Sequence, residues 1–272
     1  MTTLSLGTAF GPEGTKLPTP LLQAKGLIKT YGHVQALRGA DFEIYPGEIV
    51  ALVGDNGAGK STMVKALSGA LQPEGGEILI DGEPVHLNSP VDAQRHGIET
   101  VYQDLALATD LDGSSNLFLG REKFRGGPIG RAIGLLDKKG MRAEARSAFA
   151  ELGVDLQNAE SPVMNLSGGQ RQSVAVARAV AWANRLVFLD EPTAALGVVQ
   201  TARVLDVVRR IRDKGVAVVL ISHNMPEVLQ VADRAEVLRL GRRVAQLKME
   251  GATVADLVGA MTGALEIEEA AS

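Results

Sequence analysis

Residues 54–61 read Gly54-Asp55-Asn56-Gly57-Ala58-Gly59-Lys60-Ser61, which fits the pattern G-x-x-x-x-G-K-[ST]. The stretch is flanked by the apolar run 48–53 (EIVALV), read as a buried strand, and by a helix expected to start at Lys60 and end near Gly69. In that context each residue type has a physical reason. Glycines let the backbone curl so that successive N–H groups face an anion, and the helix adds the positive end of its dipole. Lys60 is placed to reach the β- and γ-phosphates of a nucleotide, and the Ser61 hydroxyl to ligate Mg²⁺, with Thr62 next in the same turn. The alternative is a glycine-rich strand-to-helix turn with a chance lysine, and the rest of the chain decides between the two.

Two further stretches bear on that choice. Leu186-Val187-Phe188-Leu189 followed by Asp190-Glu191 is a buried strand whose tip carries two acids. Asp190 there suits a metal ion held through water, and Glu191 suits a general base that polarises an attacking water. Leu166-Ser167-Gly168-Gly169-Gln170 opens a helix predicted to run to about Trp182. Ser167 is a good N-cap, and Gly168 and Gly169 leave N–H groups bare at a second helix N-terminus. Each stretch alone also reads as ordinary local structure, a solvated strand end and a flexible loop entering a helix.

Outward from these anchors the pattern alternates. Residues 21–48 suggest short β segments with turns at Tyr31-Gly32 and Pro46-Gly47, and 77–80 a strand closed by the turn Asp81-Gly82. Residues 104–183 change in character, with Met141, Ala145, Ala148, Phe149 and Leu152 on one helical stripe. The run 216–221 is a continuous apolar strand, and Val204, Val208 and Ile211 recur at helical spacing before it. One more helix is expected beyond Gly251. This alternation predicts an α/β sheet interrupted by a helical insertion. Residues 1–20, with Gly7, Gly11, Gly14, Pro12, Pro18 and Pro20, read as a flexible leader, and 266–272 as an acidic tail.

Composition narrows the function classes. The chain has 272 residues, enough for one large or two small domains, and at 45% hydrophobic residues it can fill a core. With 28 Lys+Arg against 32 Asp+Glu the net charge is −4, so no basic field points to nucleic acid. Zero cysteines exclude a disulfide scaffold, thiolate metal sites and a cysteine nucleophile. A membrane span needs about 20 apolar residues, and the run 174–182 is broken by Arg178. The expectation is a soluble, cytoplasmic chain whose membrane contact runs through a partner.

GDNGAGKS, LSGGQ and LVFLDE, in that order, resemble the nucleotide-binding subunit of an ATP-binding cassette (ABC) transporter, and the likeness runs over about residues 21–265. The resemblance implies a P-loop NTPase (RecA-like) parallel sheet core, an antiparallel β subdomain and a helical subdomain at about 104–183. It also implies roles at three further positions. Tyr31 matches the aromatic that stacks on adenine, and Gln103, in Val101-Tyr102-Gln103, the glutamine at the Mg²⁺ and water site that meets the membrane partner. His223, in Ile221-Ser222-His223, matches the histidine that contacts the γ-phosphate. ATP and Mg²⁺ are the implied cofactors. The family mechanism sandwiches two ATP molecules between the P-loop of one copy and the LSGGQ of a second, so a homodimer is implied. In one respect the chain departs from the family: after Glu191-Pro192-Thr193, where most members read Ser-Ala-Leu-Asp, it reads Ala194-Ala195-Leu196-Gly197. Gly197 thus stands where the aspartate usually crosses to the opposite copy and Ala194 where the serine stands, while base and metal ligands are intact and hydrolysis is expected to survive.

That variant, together with 97–107 (GIETVYQDLAL) and 116–122 (NLFLGRE), is similar to bacterial monosaccharide importers of the ribose, xylose and fructose type. One P-loop and one LSGGQ fit the single-cassette form. This reading implies permease subunits as partners, contacted near Gln103, and an indirect link to a periplasmic sugar-binding protein. It places the chain on the cytoplasmic face of the inner membrane. The alternatives are the ATPase of another importer class and a soluble ABC ATPase without a transporter.

Overall fold

The computed structural model describes residues 19–102, 104–153, 161–194 and 196–264. The leader read over 1–20 falls outside them except for Thr19 and Pro20, as do the acidic tail and Gln103.

Two sheets organise these residues. The first has the order β2-β1-β4-β5 and is antiparallel: β1 (Leu22–Tyr31), β2 (Val34–Ile44), β4 (Gly75–Ile80) and β5 (Glu83–Pro84). The second has the order β10-β9-β3-β8-β7-β6. Its strands are β3 (Ile49–Val53), β6 (Ile98–Val101), β7 (Leu186–Asp190), β8 (Ala217–Ile221), β9 (Arg234–Arg239) and β10 (Arg242–Lys248). All neighbours in it are parallel except the β9–β10 hairpin.

Why β3, β7 and β8 are continuous apolar runs is visible in the packing. Val50, Leu52, Phe188 and Val219 point into one core with the antiparallel sheet and α1 (Lys60–Leu67). Their alternates Ala51, Val187, Leu189, Val218 and Leu220 point into the other. Strands buried on both faces have no polar side to show, so the alternation of a half-exposed strand disappears.

The second core is largely helical. The helices after α1 are α2 (Pro90–Arg95), α3 (Gly113–Leu117), α4 (Gly127–Ala132), α5 (Lys138–Glu151) and α6 (Gly168–Trp182). After β7 come α7 (Val198–Asp213), α8 (Met225–Val231) and α9 (Val254–Thr262). The expected stripe on α5 is present: Met141, Ala145, Phe149 and Leu152 are buried, and Ala148 packs at its edge. Among the described residues, no strand of either sheet lies between 104 and 183, in line with the helical insertion. Arg178, which breaks the apolar run on α6, donates to the carbonyls of Leu105 and Ala106 at 2.9 and 2.8 Å. Among the described residues, no helix is long and apolar enough to cross a membrane.

Two expectations need correction. Residues 22–44 form two long strands rather than several short segments: Gly26 and Gly39, which look like turn residues, sit at positive φ in strands whose pairing shifts register between Ala24 and Leu27. Bulges use glycine as turns do. The β9–β10 hairpin and β6 also go unread in the sequence, because charged residues interrupt their apolar pattern.

Those charges have a structural use. Arg234 donates to Glu236 at 2.6 Å, to Glu48 at 2.9 Å and to the Glu43 carbonyl at 2.5 Å. Glu236 is fully buried and also accepts from Gln246 at 2.8 Å, with Arg243 3.6 Å from its second oxygen. The cluster joins β2, β3, β9 and β10, and so ties the antiparallel sheet to the parallel one.

Candidate functional site

The parallel strands β3, β8 and β7 are neighbours, so their carboxyl ends deliver the 54–61 loop, the 222–223 segment and Asp190-Glu191 to one edge of the sheet. Open α/β sheets bind ligands at that edge. Two glycines of the loop are required by the geometry. Gly54 has φ +152, and a Cβ there would lie 2.2 Å from the Leu238 carbonyl oxygen. Gly59 has φ +105, and its Cβ would lie 2.6 Å from the Ala36 carbonyl oxygen, so β2 presses directly on the loop.

Lys60 is the first residue of α1. Its Nζ donates to the carbonyl of Gly54 at 2.7 Å and of Asp55 at 3.1 Å. Burial lowers its pKa, against the pull of Glu191, Asp55 and Asp190. Asp190 ends β7, and its carboxyl is pushed up by burial and then by Glu191, with Lys60 pulling the other way. Burial makes both the Lys60 cation and the Asp190 carboxylate costly to keep charged, which suits groups that act on a charged ligand.

Glu191 stands in the left-handed region at φ +49, a conformation that costs a non-glycine residue roughly 1–2 kcal/mol. Its N–H bonds the Ile221 carbonyl at 2.9 Å, and its own carbonyl accepts from Ala194 at 3.1 Å. This bend turns the side chain back toward the β8 end, where Oε1 is 3.0 Å from His223 Nδ1. His223 itself is 69% exposed, so the imidazole stands at the rim.

Tyr31, at the end of β1, is half exposed with Lys29 Nζ 5.9 Å from its ring centroid. Tyr31, Asn56 to Thr62, Asp190, Glu191 and His223 border one cavity of about 670 Å³, which Val34, Gln35 and Ala36 of β2 also line. Gly54 and Asp55 serve it as the acceptors that hold Lys60. The β2 wall was not legible in sequence, since its residues carry no motif.

The LSGGQ residues lie elsewhere. Ser167 caps α6 in a reciprocal box: Gln170 N–H donates to Ser167 Oγ at 3.3 Å, and Ser167 N–H to Gln170 Oε1 at 2.9 Å. The box satisfies two of the first donors and leaves those of Gly168 and Gly169 as the first-turn remainder. A Cβ on Gly168 would meet open space, whereas one on Gly169 would lie 2.7 Å from Gln200 Cγ. Ser167, Gly169 and Gln170 border a second cavity of about 430 Å³, together with Gln200 and Arg203 of α7. The chain therefore brings the residues expected at the nucleotide into two separate faces, and Gln103 falls outside the described residues.

A loop bearing an amine at a helix start, two acids at the end of the next strand but one, and a serine-capped, glycine-led helix apart from both are matched as a unit. The ABC transporter family model covers residues 37–194. This chain belongs to the ABC transporter family of ATP-binding cassettes. It is 52% identical over 248 residues to the fructose import ATP-binding protein of Rhizobium meliloti, covering 91% of this chain and 95% of that one. It is 44% identical to the xylose/arabinose import ATP-binding protein of Sulfolobus acidocaldarius, covering 89% and 94%. Against the ribose import ATP-binding protein RbsA 2 of Escherichia coli O157:H7 it is 42% identical over 90% of this chain, and spans about half (47%) of that protein. Among solved structures, the fold matches a dimeric ATP-binding cassette in a post-hydrolysis state with ADP and Pi. The TM-score there is 0.71 at 26% identity, over 84% of this chain and 98% of that one.

Proposed function

We propose that this cassette binds ATP with Mg²⁺ between two copies of itself, hydrolyses it, and so powers import of a monosaccharide through membrane permease subunits. The observation that carries the reading is the convergence of Lys60, Asp190, Glu191 and His223 on one cavity, with Ser167 and Gly169 on another face of the same chain. Neither face encloses a triphosphate, and a head-to-tail pair supplies both.

Within the site each residue has a defined task. Tyr31 offers a ring for the adenine, and the N–H groups of the loop other than that of Ala58, which donates to the Asp55 carbonyl at 3.0 Å, cradle the phosphates. Lys60 exchanges its carbonyl partners for phosphate oxygens. Ser61 and Asp190 would hold Mg²⁺, and one hydroxyl plus one carboxylate is a donor set that suits an ion otherwise bound by water and phosphate. When bound, the ion neutralises phosphate charge. Glu191 accepts a proton from the attacking water, and His223 holds the carboxylate in place through Nδ1.

The sugar is that of the fructose, xylose and ribose relatives' class. Permease contact near Gln103, the link to a periplasmic sugar-binding protein, the cytoplasmic membrane surface, and a cassette at 21–265 with its helical part at about 104–183 complete the reading. The test is Glu191→Gln, which keeps size and hydrogen bonding. ATP binding should persist while phosphate release falls by about 10²–10⁴-fold. With hydrolysis blocked, ATP but not ADP should drive sedimentation as a dimer. Wild-type turnover in this variant refutes Glu191 as base, and a monomer with ATP refutes the two-copy site.

A further inference from the structure

We propose that Glu227 is a positioning residue for ATP hydrolysis: its carboxylate latches the turn after Glu191 to the segment after His223, and thereby fixes how those two side chains meet. The proposal rests on the reading of Glu191 as general base.

The geometry is a closed circuit. Thr193, two residues beyond Glu191, is buried and donates its hydroxyl to Glu227 Oε2 at 2.5 Å. Asn224, the residue after His223, donates Nδ2–H to Glu227 Oε1 at 2.7 Å. Each oxygen of one carboxylate thus holds a different loop. On the cavity side the same two loops meet through Glu191 Oε1 and His223 Nδ1 at 3.0 Å. The Asn224 N–H is in turn fixed on Ser222 Oγ at 3.0 Å.

Glu191 needs such support. Its φ of +49 is a conformation that persists only where the surroundings over-determine it. The β8 end contributes one backbone bond, Glu191 N–H to the Ile221 carbonyl, and the 191–194 turn a second. The bond from Thr193 to Glu227 is the side-chain anchor of that turn. Without it a buried hydroxyl loses its acceptor, and the turn that aims Glu191 is tied down on one side only. Glu227 is not among the residues bordering the 670 Å³ cavity, so it acts through its partners rather than on the nucleotide.

The experiment compares Glu227→Ala, Glu227→Gln and Thr193→Val in the full chain, by steady-state phosphate release, ATP binding and thermal melting. Glu227→Ala should lower kcat by about 10- to 100-fold, the scale of a base displaced by a fraction of an ångström to one ångström. KM and ATP affinity should stay within about twofold, because the phosphate loop is untouched. Glu227→Gln should recover most of the rate: its amide can donate to Thr193 Oγ1 while its carbonyl accepts from Asn224. Thr193→Val should match Glu227→Ala, and the double variant should be no slower than the slower single one. If Glu227→Ala melts before it can be assayed, Thr193→Val carries the test. Wild-type kcat in folded Thr193→Val or Glu227→Ala, a loss confined to KM, or a Gln variant as slow as Ala overturns the latch. Glu191→Gln run beside them separates the two readings: if it hydrolyses at the wild-type rate the base assignment itself fails, and if it is slow while Glu227→Ala is fast only the latch fails.

Discussion

Replacing Lys60 with alanine isolates what the phosphate loop contributes, because the empty-state cost and the bound-state gain of this lysine have opposite signs. Burial lowers its pKa, so the native pocket holds the charged amine less well than the unfolded chain does. Its loss should leave the melting temperature of nucleotide-free protein unchanged or slightly raised. In the bound site the amine makes charge-assisted bonds to phosphate, and losing them costs roughly 1.5–3 kcal/mol, which is about 10- to 150-fold in Kd. The assay is thermal melting with and without Mg-ATP. At ATP 100-fold above the wild-type Kd, binding adds about 2.7 kcal/mol, and a 30-fold weaker variant retains about 0.9 kcal/mol. For a domain of this size that is a rise of about 5–11 °C in wild type against about 2–4 °C in the variant. An equal rise in both proteins would refute the assignment of this loop to the phosphates. A variant that melts well below wild type without nucleotide would refute the claim that the lysine is a burden to the empty fold.

The same logic extends to other positions. Asp190→Asn should raise the stability of the nucleotide-free protein at neutral pH and abolish its gain from Mg-ATP, both read by melting. Since the folded pKa lies above the usual 3.8, wild type loses stability as pH rises from 3.8 through that raised value. The advantage of asparagine should therefore be absent in acid, open across that window and be complete at neutral pH. Glu236→Ala removes one of the two carboxylate partners of Arg234 and leaves Glu48 in place, so it should cost about 1–3 kcal/mol in urea denaturation, whereas a loss under about 0.5 kcal/mol would show that this carboxylate does not help join the sheets. Gly197→Asp should be neutral or stabilising by a few tenths of a kcal/mol in the same measurement, through a new N-cap on α7.

Much of the site was legible because its chemistry dictates residue types at fixed spacing. A loop that curls around phosphate must have glycine where Gly54 and Gly59 face the Leu238 and Ala36 carbonyls, and an anion-facing helix start must carry its lysine first. The parallel strands were legible for a different reason, as two-sided burial makes them continuous apolar runs. What the sequence hid is held by long-range pairs. Glu227 looks like any acid in the first turn of a helix, and only the fold sets Thr193 against it. Arg234, Glu236 and Arg243 break the pattern of the β9–β10 hairpin, so it reads as surface. The reason they are tolerated is a seam with β2 and β3 nearly two hundred residues away in sequence. Residues Val34 to Ala36 form a cavity wall by position alone, which no local pattern announces.

Gly197 shows how the structure separates demands of the fold from demands of assembly. Its φ is −76, an ordinary extended N-cap geometry that any residue adopts, so the backbone does not require glycine. Space does not require it firmly either. A Cβ at 197 would lie 2.9 Å from Gln200 Oε1, the free end of a side chain that can swing aside. Gly169 is the contrast, since its Cβ would lie 2.7 Å from Gln200 Cγ and 3.0 Å from Gln200 Cβ, the second of which is fixed to the backbone of α7. An aspartate at 197 would even supply the side-chain cap that α7 lacks. The fold of a single copy therefore enforces Gly169 and is indifferent or mildly averse to Gly197. Its exposed neighbours, Val198 and Val199, likewise set no packing demand at this helix start. If Gly197→Asp instead destabilises the nucleotide-free chain by more than about 1 kcal/mol, Gln200 is rigid at that seam and the glycine belongs to the fold after all.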